Sequence, residues 1–237
     1  DANIGAPQVA YREKITKKVT VGICGDARQV AQQILEKLSP KAGDAGRTER
    51  KAVIHQTKSA WLQKLSSMDH EDDDPGTTWN EDARKRDADR MSPRQAWRAI
   101  QAGLPANATI SSDIGNNCAI GNAYPTFEEG RKYLAPGLFG PCGYGLPSII
   151  GAKIGKPEVP VFGFSGDGAF GISINEMTSI CRDEWPAITM IIFRNYQWGA
   201  EKRNSTLWYA DNFVGTELDP HLSYAKIATA CGFKGVA

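Results

Sequence analysis

Apolar residues are concentrated in short segments of the second half of the chain, and polar or glycine-rich stretches separate them. The runs 159–164 (VPVFGF) and 187–193 (AITMIIF) are almost uninterrupted, which is typical of strands buried on both faces of a parallel sheet. A further strand is predicted at 108–115, and helices are predicted at 145–155, 172–184 and 221–232. Strands that alternate with helices predict an α/β fold with a doubly wound parallel sheet.

The first part of the chain has a different pattern. Residues 17–38 predict a short strand, a Gly-Asp turn and an amphipathic helix, in which Val30, Ile34, Leu35 and Leu38 recur at helical spacing. The following stretch is polar and charged, with a possible helix over 48–67. Its acidic run EDDD could be a metal cluster, but consecutive loop carboxylates repel one another, and a solvated linker is the better interpretation.

A new domain is predicted to begin near Ser92, which is suited to cap a helix whose first residue is Pro93. We therefore divide the chain into a small α/β remnant at 1–40, a charged linker at 41–91 and a ligand-binding domain at 92–237.

Composition narrows the class of protein. Lys and Arg number 28 against 27 Asp and Glu, so the chain lacks the excess of positive charge that is typical of proteins that bind nucleic acids. The run at 187–193 is far too short to cross a membrane. The five cysteines are widely spaced and odd in number, which favours reduced thiols in a cytoplasmic protein. Because the chain opens on Asp1 and closes on GFKGVA, we expect a piece of a longer polypeptide, truncated at its carboxyl end.

Three polar, glycine-bearing loops follow predicted strands, at 112–117 (SDIGNN), 165–168 (SGDG) and 194–199 (RNYQWG). In an open α/β sheet, ligands bind in the crevice at the carboxyl ends of the strands. The three loops are therefore expected to form one ligand site.

The SGDG loop places the Asp167 carboxylate between Gly166 and Gly168. The glycines let the backbone approach a ligand closely, and the free amides of Gly168 and Ala169, before a helix expected to start near Phe170, can hold a phosphate. A carboxylate beside a phosphate calls for a divalent cation between them, and Mg²⁺ prefers oxygen ligands. The Asn195 side chain and the Gln197 carbonyl could supply two more. A lone Gly-Asp-Gly is a common turn, so the pairing with Asn195 carries the hypothesis.

At this point the residues resemble a known family. The segment GDGAFGISINEMTSICRDEWPAITMIIFRN, from Gly166 to Asn195, resembles the cofactor motif of thiamin-diphosphate-dependent enzymes, and GLFGPCGYGLPSIIGAK resembles the companion segment of the acetolactate-synthase-like group. That resemblance implies thiamin diphosphate and Mg²⁺ as cofactors. The segment VTVGICGDARQVAQQIL also resembles the last βα unit of the group's Rossmann-like central domain.

The resemblance implies roles for particular residues. Asp167, Asn195 and the Gln197 carbonyl would bind the metal. The residues implied to contact the cofactor lie in three loops: Asn116, Asn117, Gly140, Pro141, Cys142, Gly166, Gly168 and Ala169. Among them, Cys142 occupies the position at which a bulkier Met, Leu or Ile usually supports the bent cofactor.

The segment NYQWGAEKRN resembles the members of this family that convert sulfoacetaldehyde and phosphate to acetyl phosphate and sulfite. Lys202 and Arg203 are then candidates to bind those anions, or else they are solvated loop charges, one of them paired with Glu201. In the family, a glutamate on a separate pyrimidine-binding domain of another subunit activates the cofactor. Nothing here matches that domain, so the full-length protein is expected to be a homodimer or homotetramer and this chain alone to be inactive.

Three alternatives stay open. The chain could belong to another carboligase or decarboxylase of the acetolactate-synthase-like group, since these share the metal and diphosphate residues. It could also be a non-catalytic diphosphate-binding fragment. A dinucleotide site is weaker, because GICGDA lacks the GxGxxG spacing.

Overall fold

The computed structural model describes residues 22–38, 45–68, 93–127, 132–182 and 184–237. Contacts divide the chain into two units, Asp1–Glu71 and Asp72–Ala237. The first contains helix α1 (Ala27–Lys37), where Asp26 accepts the Gln29 N–H at 3.0 Å, and helix α2 (Ala45–Met68). Both helices were predicted. The acidic run and Ser92 lie outside the described residues, as does part of the strand predicted before α1.

The described residues of the second unit form four strands and the helices that connect them. In chain order its elements are α3 (Pro93–Gly103), β1 (Thr109–Ser112), α4 (Asn116–Ala123), β2 (Lys132–Leu134), α5 (Gly145–Gly155), β3 (Val161–Gly166), α6 (Asp167–Ser173), the 3₁₀ helix η1 (Ile174–Glu176), α7 (Met177–Ile180), β4 (Thr189–Phe193), α8 (Gly199–Trp208) and α9 (Tyr224–Ala230).

The strands form a parallel sheet in the order β2-β1-β3-β4. Ile110 of β1 pairs with Phe162 of β3, and Phe164 of β3 pairs with Ile191 of β4. The two central strands, β1 and β3, are far apart in sequence and adjacent in space, with helices in the connection. The predicted doubly wound α/β fold is thereby confirmed.

Each face of the sheet has its own core, because neighbouring residues of a strand point to opposite faces. On one face Trp97 of α3 packs against Phe164, with ring centroids 4.3 Å apart, and Ile110 completes that core. On the other face Leu146 and Ile149 of α5 pack with residues of α6, α7 and β3. Packing on both faces explains why β3 and β4 show no alternation of polar and apolar residues.

The structure corrects several boundaries. The helix predicted to begin near Phe170 begins at Asp167, so the Asp167 turn is itself helical. The single helix predicted at 172–184 is divided among α6, η1 and α7. Three elements, α4, β2 and α8, were not predicted. All five cysteines are free, in agreement with the sequence. Among the described residues, no helix is both long and apolar enough to cross a membrane.

Candidate functional site

A cavity of about 940 Å³ lies at the carboxyl edge of the sheet, where β1, β3 and β4 end. The three loops chosen from the sequence all contribute to its wall. Ten of the predicted site residues line it: Asn116, Asn117, Gly140, Cys142, Gly166, Asp167, Gly168, Ala169, Asn195 and Gln197. Pro141, Lys202 and Arg203 are not among its lining residues.

The Asp167 carboxylate is buried at the end of β3, with 2% of the residue exposed. Its Oδ1 accepts the Gly168 N–H at 3.1 Å, and its Oδ2 accepts the Tyr196 N–H at 2.7 Å. Burial raises the pKa of the carboxyl above its ordinary value, although those two N–H groups and the Arg194 charge oppose the rise. Asp167 is therefore a buried acid that a cation would stabilise in its charged form.

The turn after β4 is held by a second segment of the chain. Trp198 N–H donates to the Thr216 carbonyl at 2.7 Å, and Leu218 N–H donates to the Tyr196 carbonyl at 2.8 Å. Within the turn, the Gln197 N–H donates to Asn195 Oδ1 at 3.3 Å. In the described part of the chain, no donor is seen on the Gln197 carbonyl, which leaves that oxygen available to a ligand.

Two glycines allow the loops to approach one another closely. A Cβ on Gly199 would lie 2.7 Å from Asn195 Nδ2 and 3.0 Å from Asn116 Nδ2, so the side-chain amides of both asparagines lie next to Gly199. A Cβ on Gly168 would lie 2.8 Å from the Trp198 ring. Larger residues at either position would displace groups that line the cavity.

These residues fit a magnesium diphosphate by their chemistry. The set comprises one buried carboxylate, an amide side chain, an unengaged carbonyl and the first N–H groups of α6, which suit a hard cation bound to an anion. No cluster of three or more His, Cys, Asp or Glu suited to a metal is found across the described ranges.

A second buried carboxylate, Asp113, follows β1 and was missed from the sequence. It is 0% exposed. Its Oδ1 accepts the N–H groups of Ile114 at 2.8 Å and Gly143 at 3.0 Å, and its Oδ2 accepts the Gly145 N–H at 2.7 Å. Asp113 thus ties the loop around Cys142 to the end of β1. Its place in SDIGNN, near the end of the strand predicted at 108–115, was the signal available.

The remaining predicted residues have specific neighbours. Asn117 is buried and donates through Nδ2 to Ser112 Oγ at 3.1 Å, so its amide supports the loop as well as lining the cavity. Lys202 Nζ contacts Glu217 Oε1 at 2.5 Å, whereas Glu201 accepts from Asn204 at 3.5 Å. The pairing of Glu201 with Lys202 or Arg203 that the sequence left open is therefore not what the structure records. Substrate binding by those two cations stays a prediction.

Comparison with known proteins decides the family. Residues 113–237 match the family described as "Thiamine pyrophosphate enzyme, C-terminal TPP binding domain". The chain belongs to that family. The match begins at Asp113 and contains both the Asp167 loop and the turn after β4, so most of the residues that line the cavity belong to this thiamine pyrophosphate (thiamin diphosphate) domain, and the others lie in α3.

Similar curated proteins extend beyond the chain. It is 78% identical over 227 residues to a probable sulfoacetaldehyde acetyltransferase of Rhizobium meliloti, a match that covers 96% of the chain and 38% of that protein. It is 75% identical to the sulfoacetaldehyde acetyltransferase of Roseovarius nubinhibens, covering 94% of the chain and 37% of the relative. The acetolactate synthase isozyme 3 large subunit of Escherichia coli is 25% identical, over 94% of the chain and 36% of that subunit.

A solved structure shares the fold. The thiamine diphosphate-dependent 4-hydroxybenzoylformate decarboxylase of Rhodococcus jostii RHA1 matches with a TM-score of 0.52 and 25% identity, over 60% of the chain and 26% of that protein.

The chain spans little more than a third of its close curated relatives, at 37–38% of their length.

If Asp167 binds the metal, its raised pKa predicts that magnesium-dependent cofactor binding weakens at acid pH. A protonated carboxyl cannot bind the metal, so affinity should fall as the pH drops through this raised pKa, sooner than with an ordinary aspartate. In the metal-free protein the stability of the fold depends on pH in the opposite direction to the cofactor affinity. There the raised pKa contributes stability below the unfolded-state pKa, and this stability is lost as the pH rises through the folded-state value.

Calorimetric titration of thiamin diphosphate with Mg²⁺ across this pH range checks the prediction. Mg²⁺ binding to free thiamin diphosphate provides the control for titration of the cofactor itself. An affinity that stays constant until ordinary aspartates titrate would contradict it.

Proposed function

We propose that this chain supplies the magnesium–diphosphate half of the active site of an enzyme that converts sulfoacetaldehyde and phosphate to acetyl phosphate and sulfite. The observation that carries the proposal is the difference in sequence identity between two groups of relatives. Five relatives named as sulfoacetaldehyde acetyltransferase, one of them as probable, are 38–78% identical and three of these are 69–78% identical, whereas three acetolactate synthases are 25–26% identical.

In this proposal Asp167, Asn195 and the Gln197 carbonyl hold Mg²⁺, and the N–H groups of Gly168 and Ala169 receive the diphosphate. Their support is the shared cavity wall and the contact of Tyr196 N–H with Asp167. Asn116, placed beside Asn195 over Gly199, would donate to a diphosphate oxygen. For Gly168, binding of the diphosphate requires release of its N–H from Asp167 Oδ1, whereas N–H groups at the start of a helix otherwise have no partner within it and suit an anion.

The cofactor, when bound, supplies the carbanion chemistry that such a reaction needs. The protein's part is to orient it and to neutralise its charge. Gly140 to Cys142 would lie against its aminopyrimidine side, with Cys142 as a small support. Lys202 and Arg203 remain proposed contacts for the sulfonate or the phosphate acceptor. For Lys202 this requires release of Glu217.

The rest of the site would come from outside this chain. We propose a pyrimidine-binding domain of another subunit, with its activating glutamate, and hence a homodimer or homotetramer of the full-length protein. Most of the length of each close relative lies outside the matched region, which leaves room for such a domain. A cytoplasmic location is proposed with it, in keeping with five free cysteines. The boundaries at 40 and 91 remain a proposed division of the chain.

The second candidate is another carboligase or decarboxylase of the acetolactate-synthase-like group. The 25% identity with an acetolactate synthase and with a decarboxylase of known structure favours a shared cofactor chemistry. A fragment that binds diphosphate without catalysis is the remaining alternative.

Two measurements test the proposal. We expect the purified 237-residue chain to bind magnesium thiamin diphosphate and to form no acetyl phosphate. We expect the full-length polypeptide that contains it to release sulfite and acetyl phosphate in equal amounts from sulfoacetaldehyde and phosphate. Carbon–carbon ligation of pyruvate in place of that reaction would favour the second candidate, and turnover by the chain alone would contradict the half-site.

A further inference from the structure

The turn that carries the proposed metal ligands contains a residue in an unfavourable conformation. Tyr196 has a φ of 61°, in the left-handed region. Bulky side chains rarely occupy that region, because Cβ approaches the following carbonyl. Such a conformation persists only when its surroundings hold it in place.

Both backbone groups of Tyr196 have partners that fix its orientation. Its N–H donates to Asp167 Oδ2 at 2.7 Å, and its carbonyl accepts the Leu218 N–H at 2.8 Å. Rotation of Tyr196 to an ordinary φ would turn at least one of these groups away. The left-handed conformation is therefore what joins the turn after β4 to the carboxylate at the end of β3.

The side chain of Arg194 is placed to hold this conformation. Its guanidinium carbon lies 4.4 Å from the centre of the Tyr196 ring, within cation–π range. Its Nη2 donates to the Pro220 carbonyl at 3.0 Å, in the segment whose Leu218 already bonds to Tyr196. A planar guanidinium can stack on a ring and donate at its edge together, which an ammonium group cannot do.

We infer that Arg194 is a positioning residue of the metal turn, which holds Tyr196 left-handed by stacking on its ring while anchored to Pro220. This inference rests on the proposed function, since the turn matters as the carrier of Asn195 and Gln197. The strained residue directs its N–H at Asp167, and the Gln197 carbonyl follows from the same turn. Arg194 thereby supports metal binding without being a ligand.

The experiment uses glycine as a residue that adopts a positive φ without strain. Binding of magnesium thiamin diphosphate is measured by calorimetry for four forms of the chain: wild type, Arg194→Met, Tyr196→Gly and the double variant. Arg194→Met should weaken binding about tenfold in the tyrosine background, because the stacking that favours the left-handed conformation of Tyr196 is then lost. In the glycine background the same substitution should change binding less than about twofold.

This double-mutant cycle separates the positioning effect of Arg194 from the effect of its charge. Arg194 also favours the ionised form of Asp167 through its own charge. If charge alone were responsible, Arg194→Met would weaken binding equally in both backgrounds, and that result would overturn the inference. Arg182→Met is the matched control, since it removes an exposed guanidinium that pairs with Glu184 at 3.3 Å. It should leave binding unchanged.

A second readout needs no cofactor. Hydrogen exchange of the Tyr196 amide, followed by NMR in the metal-free chain, should accelerate about tenfold in Arg194→Met and not in Arg182→Met, because the bond to Asp167 opens more often. Unchanged exchange would overturn the inference. Failure of the wild-type chain to bind magnesium thiamin diphosphate would instead count against the proposed function, with the exchange result deciding the role of Arg194.

Discussion

Asp167→Ala is expected to abolish the magnesium dependence of thiamin diphosphate binding, with a loss of affinity of at least about 100-fold, or about 2.7 kcal/mol. The substitution removes the one carboxylate proposed to bind the cation. It also leaves the Tyr196 N–H, now 2.7 Å from Asp167 Oδ2, without its acceptor, so the turn that carries Asn195 loosens. The variant therefore loses both the proposed metal ligand and the acceptor that anchors the turn. Calorimetry with and without Mg²⁺ measures the effect.

Glu158→Ala is the control for that experiment. Glu158 is exposed and precedes β3, whereas Asp167 follows it, so the two acids lie at opposite ends of one strand. The control should bind magnesium thiamin diphosphate as the wild type does. Equal affinity of Asp167→Ala and the wild type would remove Asp167 from the proposed metal site.

Asp113→Ala is expected to destabilise the chain by about 4 kcal/mol, the largest effect on folding that we predict. The carboxylate is 0% exposed, and three backbone N–H groups bond to it, those of Ile114, Gly143 and Gly145. Each buried N–H left without an acceptor costs about 1–3 kcal/mol. Gly145 is also the first residue of α5, so the negative charge is favourably placed at a helix amino terminus. Urea unfolding of the metal-free chain measures the change.

Two variants bracket this result. Asp219→Ala removes an exposed carboxylate that accepts a single N–H, from His221 at 2.8 Å, and should cost less than about 1 kcal/mol. Asp113→Asn keeps one oxygen but turns an NH₂ towards a backbone N–H, so an intermediate loss is expected. If Asp113→Ala proved as stable as Asp219→Ala, the carboxylate would have no structural role.

The strands could be predicted because burial on both faces leaves a mark in the sequence. The apolar runs at 159–164 and 187–193 coincide closely with β3 and β4. Helix α8 has no such mark, because none of its residues is buried and its sequence is largely polar. Strand β2 is only three residues long and lies at the sheet edge, so it presents no pattern to detect.

For the site, local spacing predicted which loops meet but not what holds them. Gly-Asp-Gly and Asn195 are separated by one helical segment and one strand, and parallel strands bring their ends to one edge. The bond from Tyr224 Oη to the Asp167 carbonyl, at 2.7 Å, joins residues 57 positions apart. The left-handed Tyr196 depends on contacts with 216–220 in the same way. Such constraints arise from tertiary structure and have no signature in a local window.

The contact between Gly168 and Trp198 has a consequence for evolution. The indole lies where the first side-chain atom of any other residue at 168 would be, at 2.8 Å. A mutation at 168 alone must push the ring aside, and with it the backbone that follows Gln197. A smaller residue at 198 alone would open a void beside the Asp167 turn. Positions 168 and 198 can therefore change only together, although they belong to different loops.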